Sequence, residues 1–284
     1  MFNYKEALTH GGKFHADDVF GGALIKLMNP DIVINRVFKV DDSIDTSEVL
    51  VFDIGLGKFD HHQADNEVRE NGIPYAAFGK LWREFGPQLC LSKRAWDEVE
   101  ETLVQRIDWS DNTGESNPLS LLISHMNPVW DATEPLPDDN ESYKMAVDFA
   151  VYALRCAIDT ANSKERARSY VKENSNTYCE GTVLILDKFV PWQDIVINEM
   201  PEVLYVIYPS NRGGYNVQVV PKEMYEPDPR APFPYEWWGN PVKDLGMTFC
   251  HSSGFLLSAE TLEAAKKIAE IAVDLAGAMP KDDE

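Results

Sequence analysis

Residues 9–18 read THGGKFHADD, and this stretch decides the fold because it joins a predicted strand to a predicted helix. The segment Tyr4–Thr9 has the pattern of a strand, and apolar side chains recur at helical spacing across Asp17–Leu27. Strand, polar loop and helix in this order form the opening unit of an α/β fold. His10 is therefore expected at the carboxyl end of the first strand.

Two further strands are predicted close behind this unit. Ile32–Val40 is the second, and Val49–Phe52 is the third, a nearly continuous apolar run of the kind found in buried parallel strands. Asp53 follows the third strand directly. Because open parallel sheets bind ligands outside the carboxyl ends of their strands, we expect the polar groups after the first and third strands to share one site.

A second polar cluster, in residues 51–63, reads VFDIGLGKFDHHQ. Mixed imidazole and carboxylate ligands at strand ends are how proteins hold catalytic divalent metals. A turn at Gly11–Gly12 would let His10, His15 and Asp17 converge, and an irregular segment could aim both His61 and His62 inward. The two clusters together predict a two-metal hydrolase, the alternative being that they are polar turn residues.

One more carboxylate is expected from residues 105–112, which read QRIDWSDN and end a helical pattern. Asp108 is the preferred candidate. Asp111 and Asn112 have the composition of a plain loop.

The remaining patterns predict two domains. Helices are predicted at Tyr75–Glu84, at Lys93–Ile107 and at about Ser142–Glu173, the last after an acidic, proline-bearing loop at Asp131–Asn140. Later strands are predicted at Thr182–Leu186, Val203–Tyr208 and Tyr215–Val220, the last two as a hairpin, before a final helix over about Ala259–Ala276. These patterns predict a catalytic domain over residues 1–140, a helical linker over 141–180 and a smaller α/β domain over 181–284.

Composition narrows the possible partners and compartments. The net charge of -21, from 47 acidic and 26 basic residues, argues against extended binding to duplex DNA. The four cysteines form no CxxC pair, which favours a reducing compartment. Since no apolar run approaches the ~18 residues of a membrane helix and no signal peptide is evident, we expect a cytoplasmic protein without a membrane partner.

The ordered motifs THGGKFHADD, FDHHQ, IDWSDN, RGGYNVQVVP and FCHSSGF resemble the Myg-type family, related to melanocyte proliferating gene one, of metal-dependent hydrolases in the DHH phosphoesterase superfamily. The resemblance implies a five-stranded parallel-sheet domain with two manganese or magnesium ions, joined by a helical linker to a smaller α/β domain that closes over the substrate.

The same resemblance implies a role for each candidate residue of the first domain. One ion would be held by His10, His15 and Asp53, and the other by Asp17, Asp53, His61 and Asp108. Asp60 would orient a ligand imidazole and His62 would face the phosphate, both as catalytic residues. His15 stands where the superfamily usually has an aspartate, which bears on the preferred metal.

In the second domain, Arg212 offers a bidentate fork to oxyanions, although an exposed hairpin arginine without a ligand is an equally good interpretation. The FCHSSGF segment is similar to the histidine and glycine motif by which many DHH enzymes bind substrate, and it implies that His251 and Gly254 bind substrate here. Phe249 and Cys250 replace the two glycines that usually open that motif.

Three functions follow from these observations. The first is a phosphodiesterase, by resemblance a 3′-5′ exonuclease, that acts on single-stranded RNA or short oligonucleotides with water activated by two metals. The second is a hydrolase of small phosphates such as pyrophosphate or a dinucleotide, which the acidic composition favours. The third is a non-catalytic protein whose metals only stabilise the fold.

Overall fold

The computed structural model describes residues 2–131 and 139–278, and its contacts divide the chain into two compact units, Met1–Glu165 and Arg166–Glu284. The predicted loop at Asp131–Asn140 falls mainly on residues 132–138, which lie outside the described residues. The predicted domain limits at residues 140 and 180 stay a prediction.

The first unit is built on a parallel sheet. Its strands are β1 (Glu6–His10), β2 (Val33–Val37) and β3 (Val49–Val51), in the order β2-β1-β3. Leu8 of β1 is opposite Asn35 of β2 and Val51 of β3. The resemblance implied five strands; the described residues place three in this sheet, because the segments that follow β3 form helices instead.

The helix α1 (Ala16–Met28) connects β1 to β2, and its buried side chains share one hydrophobic core with Ala7 of β1 and Leu50 of β3. The backbone N–H of His15 donates to Asp18 Oδ1 over 2.9 Å, which fixes the start of the helix. Its first turn therefore carries Asp17 and Asp18 at the positive end of the helix dipole. The helix ends at Met28, and Asn29, which precedes Pro30, caps it in an extended conformation.

Four helices follow the sheet: α2 (Ala77–Phe85), α3 (Lys93–Val99), α4 (Gln105–Thr113) and α5 (Pro118–His125). The helix predicted at Lys93–Ile107 extends further, to Thr113, and contains a π-helical segment, Glu100–Val104, between α3 and α4. Gly114 caps its end with a φ of 73°, which suits a residue without a side chain. The 36-residue helix α6 (Asp139–Asn174) covers the predicted Ser142–Glu173.

The second unit contains a six-stranded mixed sheet, in the order β4-β5-β6-β7-β9-β8. Its strands are β4 (Asn176–Tyr178), β5 (Val183–Ile185), β6 (Tyr205–Pro209), β7 (Tyr215–Val219), β8 (Met247–Cys250) and β9 (Leu256–Ala259). Its helices are α7 (Gln193–Glu199) and α8 (Leu262–Ala278). The predicted hairpin is the antiparallel pair β6-β7. The strands β8 and β9, which were not predicted, form a second hairpin on the FCHSSGF motif.

Across residues 2–131 and 139–278, every helix is too short or too polar to span a bilayer.

Candidate metal centre

The carboxyl ends of β1 and β3 bring the two sequence clusters together. His10 is the last residue of β1, and Asp53 lies two residues beyond β3. His10 Nε2 is 3.3 Å from Asp53 Oδ2 and 3.1 Å from Asp18 Oδ2 on the first turn of α1. The site thus forms where a parallel sheet is expected to place one.

The turn that carries Asp53 has unusual backbone geometry. Asp53 has a φ of 53°, a conformation that is uncommon for residues other than glycine, and its N–H donates to Phe59 O over 3.0 Å. Asp60 stabilises the same turn, since its Oδ2 accepts the N–H of Leu56 over 2.6 Å. This geometry directs the Asp53 carboxylate, which is 3 % exposed, into the site.

His61 lies among the carboxylates. Its Nε2 is 3.2 Å from Asp53 Oδ1, 3.5 Å from Asp17 Oδ2 and 3.3 Å from Asp111 Oδ2. His62 stacks beside it with ring centroids 4.3 Å apart, but its side chain is 59 % exposed. Asp60 Oδ1 is 2.7 Å from His62 Nδ1, which leaves Nε2 of that ring available to a ligand.

Three groups of side chains in the described residues have ligand atoms close enough to share a cation. Asp53 belongs to two of these groups. They are His10 with Asp18 and Asp53, Asp53 with His61 and His62, and His15 with Asp17 and Asp111.

The buried oxygens of this cluster provide a test of whether a metal fits. Both carboxylate oxygens of Asp17, Asp18 Oδ2 and Asp53 Oδ1 are inaccessible and have no hydrogen-bond partner of acceptable geometry within residues 2–131 and 139–278. Leaving such oxygens without a partner costs about 1–3 kcal/mol each, and more when they are charged. Oxygen ligands beside imidazoles suit a divalent cation, so the residues present fit one.

The electrostatics of the cluster are those of a site that lacks positive charge. Burial and the neighbouring carboxylates of Asp53, Asp111 and Asp18 raise the pKa of Asp17 well above its usual value. Burial also raises the pKa of Asp18. Burial acts in the same direction on Asp53, but the neighbouring imidazoles of His10 and His61 outweigh it and lower the pKa of Asp53 to about 2. Burial lowers the pKa of His10, yet Asp18 and Asp53 outweigh it and raise that pKa to about 10.

These shifts predict how the stability of the metal-free chain depends on pH. The folded chain keeps the His10 proton up to about pH 10, whereas the unfolded chain loses it near 6.5, so stability is lost as pH rises between these values. Asp17 and Asp18 act in the same direction, because the unfolded chain releases their protons near 3.8 and the folded chain releases them at higher pH.

The melting temperature in chelator should therefore fall from pH 6.5 to 10, and His10→Gln should flatten the decline. A melting temperature that rises over this interval would contradict the raised pKa values of His10, Asp17 and Asp18.

Asp108, expected as a metal ligand, lies elsewhere. Its carboxylate is fully buried, with Oδ2 2.7 Å from Arg69 Nη2 and with Oδ1 accepting the N–H of Gly79 over 3.0 Å. Arg69 Nε also binds Glu100 Oε1 at 2.6 Å. Burial raises the pKa of Asp108 to about 7 although the Arg69 guanidinium opposes the shift. The geometry makes Asp108 part of a buried ion-pair network rather than of the His/Asp cluster.

Asp111, one turn further along α4, occupies the place expected for Asp108. Its Oδ2 lies 3.3 Å from His61 Nε2. Extending the helical pattern as far as Gly114 would have put Asp108 and Asp111 on one helix face and made both candidates. Asp18 was also missed, although the spacing from His15 to Asp18 is that of a helix N-cap and its third residue.

The cluster opens into a cleft of about 920 Å³ in the first unit. His10, His15, Asp53, Asp60, His61 and His62 line it, together with Lys13, Asp111 and Asn112. Asp17 and Asp108 are fully buried and are not in its lining.

The predicted substrate residues of the second unit are divided between two environments. Arg212, on the exposed turn between β6 and β7, and His251, at the end of β8, line one cleft of about 800 Å³. Gly254 does not line that cleft. It has a φ of 65°, and a side chain there would start 2.2 Å from the Trp238 ring, so glycine is required by packing.

Comparison with known proteins identifies the family. The family model MYG1_exonuc, described as an uncharacterised protein family (UPF0160), matches residues 6–273. The chain is 24 % identical to the MYG1 protein of Dictyostelium discoideum over 90 % of this chain and 93 % of the relative. It is 26 % identical to the MYG1 exonuclease of Mus musculus, covering 92 % and 83 %, and 25 % identical to that of Homo sapiens, covering 92 % and 84 %. With a match over nearly its whole length, the chain belongs to the MYG1 exonuclease family, UPF0160.

Proposed function

We propose that this chain is a divalent-metal-dependent phosphodiester hydrolase that removes nucleotides from the 3′ end of single-stranded RNA or short oligonucleotides. The observation that carries the proposal is the set of buried carboxylate oxygens of Asp17, Asp18 and Asp53 that have no hydrogen-bond partner among the described residues and lie beside imidazole nitrogens. The relatives named MYG1 exonuclease support a nucleic-acid substrate.

In this proposal six side chains hold two Mn²⁺ ions, with Mg²⁺ as the alternative. Asp53 is the shared ligand, because it belongs to two of the three groups. Asp111 replaces Asp108 in the ligand set, because Asp111 and not Asp108 contacts His61. The proposed ligands are His10, His15, Asp17, Asp53, His61 and Asp111. When bound, two such ions lower the pKa of a shared water and stabilise the leaving oxygen of a phosphoryl displacement.

The remaining residues of the cleft bind and orient the substrate. Asp60 accepts a hydrogen bond from His62 Nδ1, so the Nε2 atom of that ring remains available to the substrate. Asp60 Oδ1 also accepts hydrogen bonds from the backbone N–H groups of His61 and His62, with N···O distances of 2.7 and 3.2 Å. Asp60 therefore positions both imidazoles. The Nδ1 atom of His10 lies 3.1 Å from Gly11 O, which leaves Nε2 of that ring, beside Asp18 and Asp53, available to a metal.

In the second unit we assign phosphate binding to Arg212 and His251, which share one cleft. The Nδ1 atom of His251 accepts the N–H of Ser253 over 3.1 Å, so the neutral ring carries its proton on Nε2 and can donate it to a phosphate oxygen. Gly254 allows the tight hairpin turn beside His251, and we assign it no contact with the phosphate.

Hydrolysis of a small phosphate such as pyrophosphate or a dinucleotide is the second candidate. The observation in its favour is the net charge of -21, because a compact substrate needs no long basic surface.

A substrate panel separates the two functions. We expect the Mn²⁺-loaded chain to release mononucleotides from short RNA, to act on RNA blocked at its 5′ end and to be inactive on RNA blocked at its 3′ end. Hydrolysis of pyrophosphate or dinucleotides with no action on longer RNA would favour the second candidate. Binding without turnover of any substrate would assign the metal centre a structural or binding role.

A further inference from the structure

The sheet of the second unit has one polar surface that the proposed phosphate contacts alone do not explain. Tyr208 of β6 is opposite Asn216 of β7, Asn216 is opposite Ser258 of β9, and Ser258 is opposite Phe249 of β8. Directly opposed residues project from the same face of a sheet, so these four side chains form one row across four strands. We call this row the sheet floor.

The two faces of this sheet are used differently. Val217, Leu257 and Ala259 pack with α8 in one hydrophobic core. On the face of the sheet floor, Tyr208 packs with residues of α7 in a second hydrophobic core. This core includes Tyr208 but not Asn216 or Ser258. Beyond it, Asn216 and Ser258 are half-buried, bonded to each other at 2.8 Å, and line the cleft of about 800 Å³. The floor is therefore polar in its middle and open.

Exposed aromatic rings stand at both ends of the floor. Phe189 is 58 % exposed and contacts Tyr208, with ring centroids 5.2 Å apart and ring planes tilted by 57°. Phe249 is 45 % exposed because a register shift between Met247 and Phe249 interrupts the alternation of β8. Three strand spacings, roughly 14 Å in all, separate the strands of Tyr208 and Phe249. Exposed aromatic rings that flank a polar cleft offer faces on which the bases of a single strand can stack.

The charges of the cleft indicate that ionic attraction is not the main source of affinity. Among the described residues that line it, one guanidinium, Arg212, is accompanied by one carboxylate, Glu260. Single-stranded nucleic acids bind to such surfaces through base stacking on aromatic rings, with few phosphate contacts.

We propose that the sheet floor binds a single-stranded oligonucleotide, with one base stacked on Phe189 and a second, non-adjacent base stacked on Phe249, while Arg212 and His251 contact the phosphates between them. This inference rests on the proposed function and specifies its substrate: a single strand longer than a dinucleotide, rather than pyrophosphate or a duplex, whose paired bases present no free faces. Asn216, Ser258 and Thr248 supply the polar groups beneath the sugar and base edges.

The test uses the full chain in chelator, so that binding is measured without turnover. Fluorescence anisotropy with a labelled RNA pentanucleotide gives Kd for wild type, Phe189→Ala and Phe249→Ala. Each alanine variant should weaken binding by roughly 5- to 150-fold, the range that corresponds to loss of one base stack. Phe249→Trp should restore it. Tyr225→Ala is the matched control, since Tyr225 is a 93 % exposed aromatic residue of the same unit outside this cleft.

The outcomes separate this inference from the proposed function. Weakened pentanucleotide binding in both phenylalanine variants, with tryptophan rescue and an unchanged Tyr225→Ala, supports the sheet floor even if no nuclease activity is found. Binding of the pentanucleotide that is equal in wild type and both alanine variants overturns it, even if the chain proves to be a nuclease. Absence of binding by the wild type overturns it as well.

Two further probes define the ligand. The Kd of a labelled DNA pentanucleotide shows whether binding depends on the sugar. A blunt RNA duplex that binds as tightly as the single strand contradicts the stacking geometry.

Discussion

Asp53→Asn is expected to lower kcat/KM on single-stranded RNA by at least ~10²–10³, the loss that follows removal of one electrostatic stabiliser of a transition state. The change keeps the shape of the side chain but removes the charge of the carboxylate that two of the three candidate ligand groups share. Steady-state release of mononucleotides at saturating Mn²⁺ measures this effect, and calorimetric titration with Mn²⁺ should show weaker binding and a lower stoichiometry.

The control for this variant is Asp45→Asn, which alters an exposed aspartate in the turn before β3. It should retain wild-type rates. Circular dichroism should show that both variants are folded. If Asp53→Asn is folded and as active as wild type, Asp53 does not belong to the reacting centre.

The second large effect distinguishes the two aspartates of α4. Asp108→Ala should lower the free energy of unfolding by about 3–5 kcal/mol, the usual cost of breaking a buried ion pair by removing one partner. Arg69, whose side chain is 6 % exposed, would keep Glu100 but lose its contact with Asp108. Urea denaturation measures the change, and the folded variant should still bind Mn²⁺.

Asp111→Asn is the matched change one turn further along α4, and its effects on stability and on Mn²⁺ binding should be the reverse of those of Asp108→Ala. It should leave the unfolding free energy of the chelated chain near that of wild type and weaken Mn²⁺ binding, because Asp111 and not Asp108 contacts His61. A stable Asp108→Ala variant that has lost Mn²⁺ binding, with normal binding by Asp111→Asn, would restore Asp108 as the ligand.

The first unit illustrates what a sequence can predict. Apolar runs, a glycine turn and the spacing of polar residues placed β1, α1 and β3 within a few residues of their observed limits, because each depends on local pattern. The convergence of His10 and Asp53 followed from the general rule that parallel strands end at one edge.

The replacement of Asp108 by Asp111 in the proposed ligand set has a physical basis that the sequence pattern does not contain. The π-helical segment Glu100–Val104 changes the phase of the helix before α4, and Arg69, distant in sequence, binds both Glu100 and Asp108. Gly79 completes this network, since a side chain there would start 1.8 Å from Asp108 Oδ2. Tertiary pairing thus places Asp108 in the ion-pair network with Arg69 and leaves Asp111 beside His61.

In the second unit, the hairpin β6-β7 was predictable because its turn residues are glycines between alternating segments. The strands β8 and β9 are each four residues long, contain serine, threonine and a register shift, and so lack a clear period of two. Their pairing, and with it the sheet floor, depends on contacts across the sheet that a single sequence does not reveal.

The His/Asp cluster of the first unit is proposed here as a catalytic metal centre for phosphodiester hydrolysis. The decisive measurement is release of mononucleotides from single-stranded RNA by the purified chain, with Mn²⁺ and after removal of Mn²⁺ by chelator. We expect release that requires Mn²⁺ and returns when the ion is restored. Release that continues unchanged in chelator, or no release from RNA with Mn²⁺ bound, would contradict it.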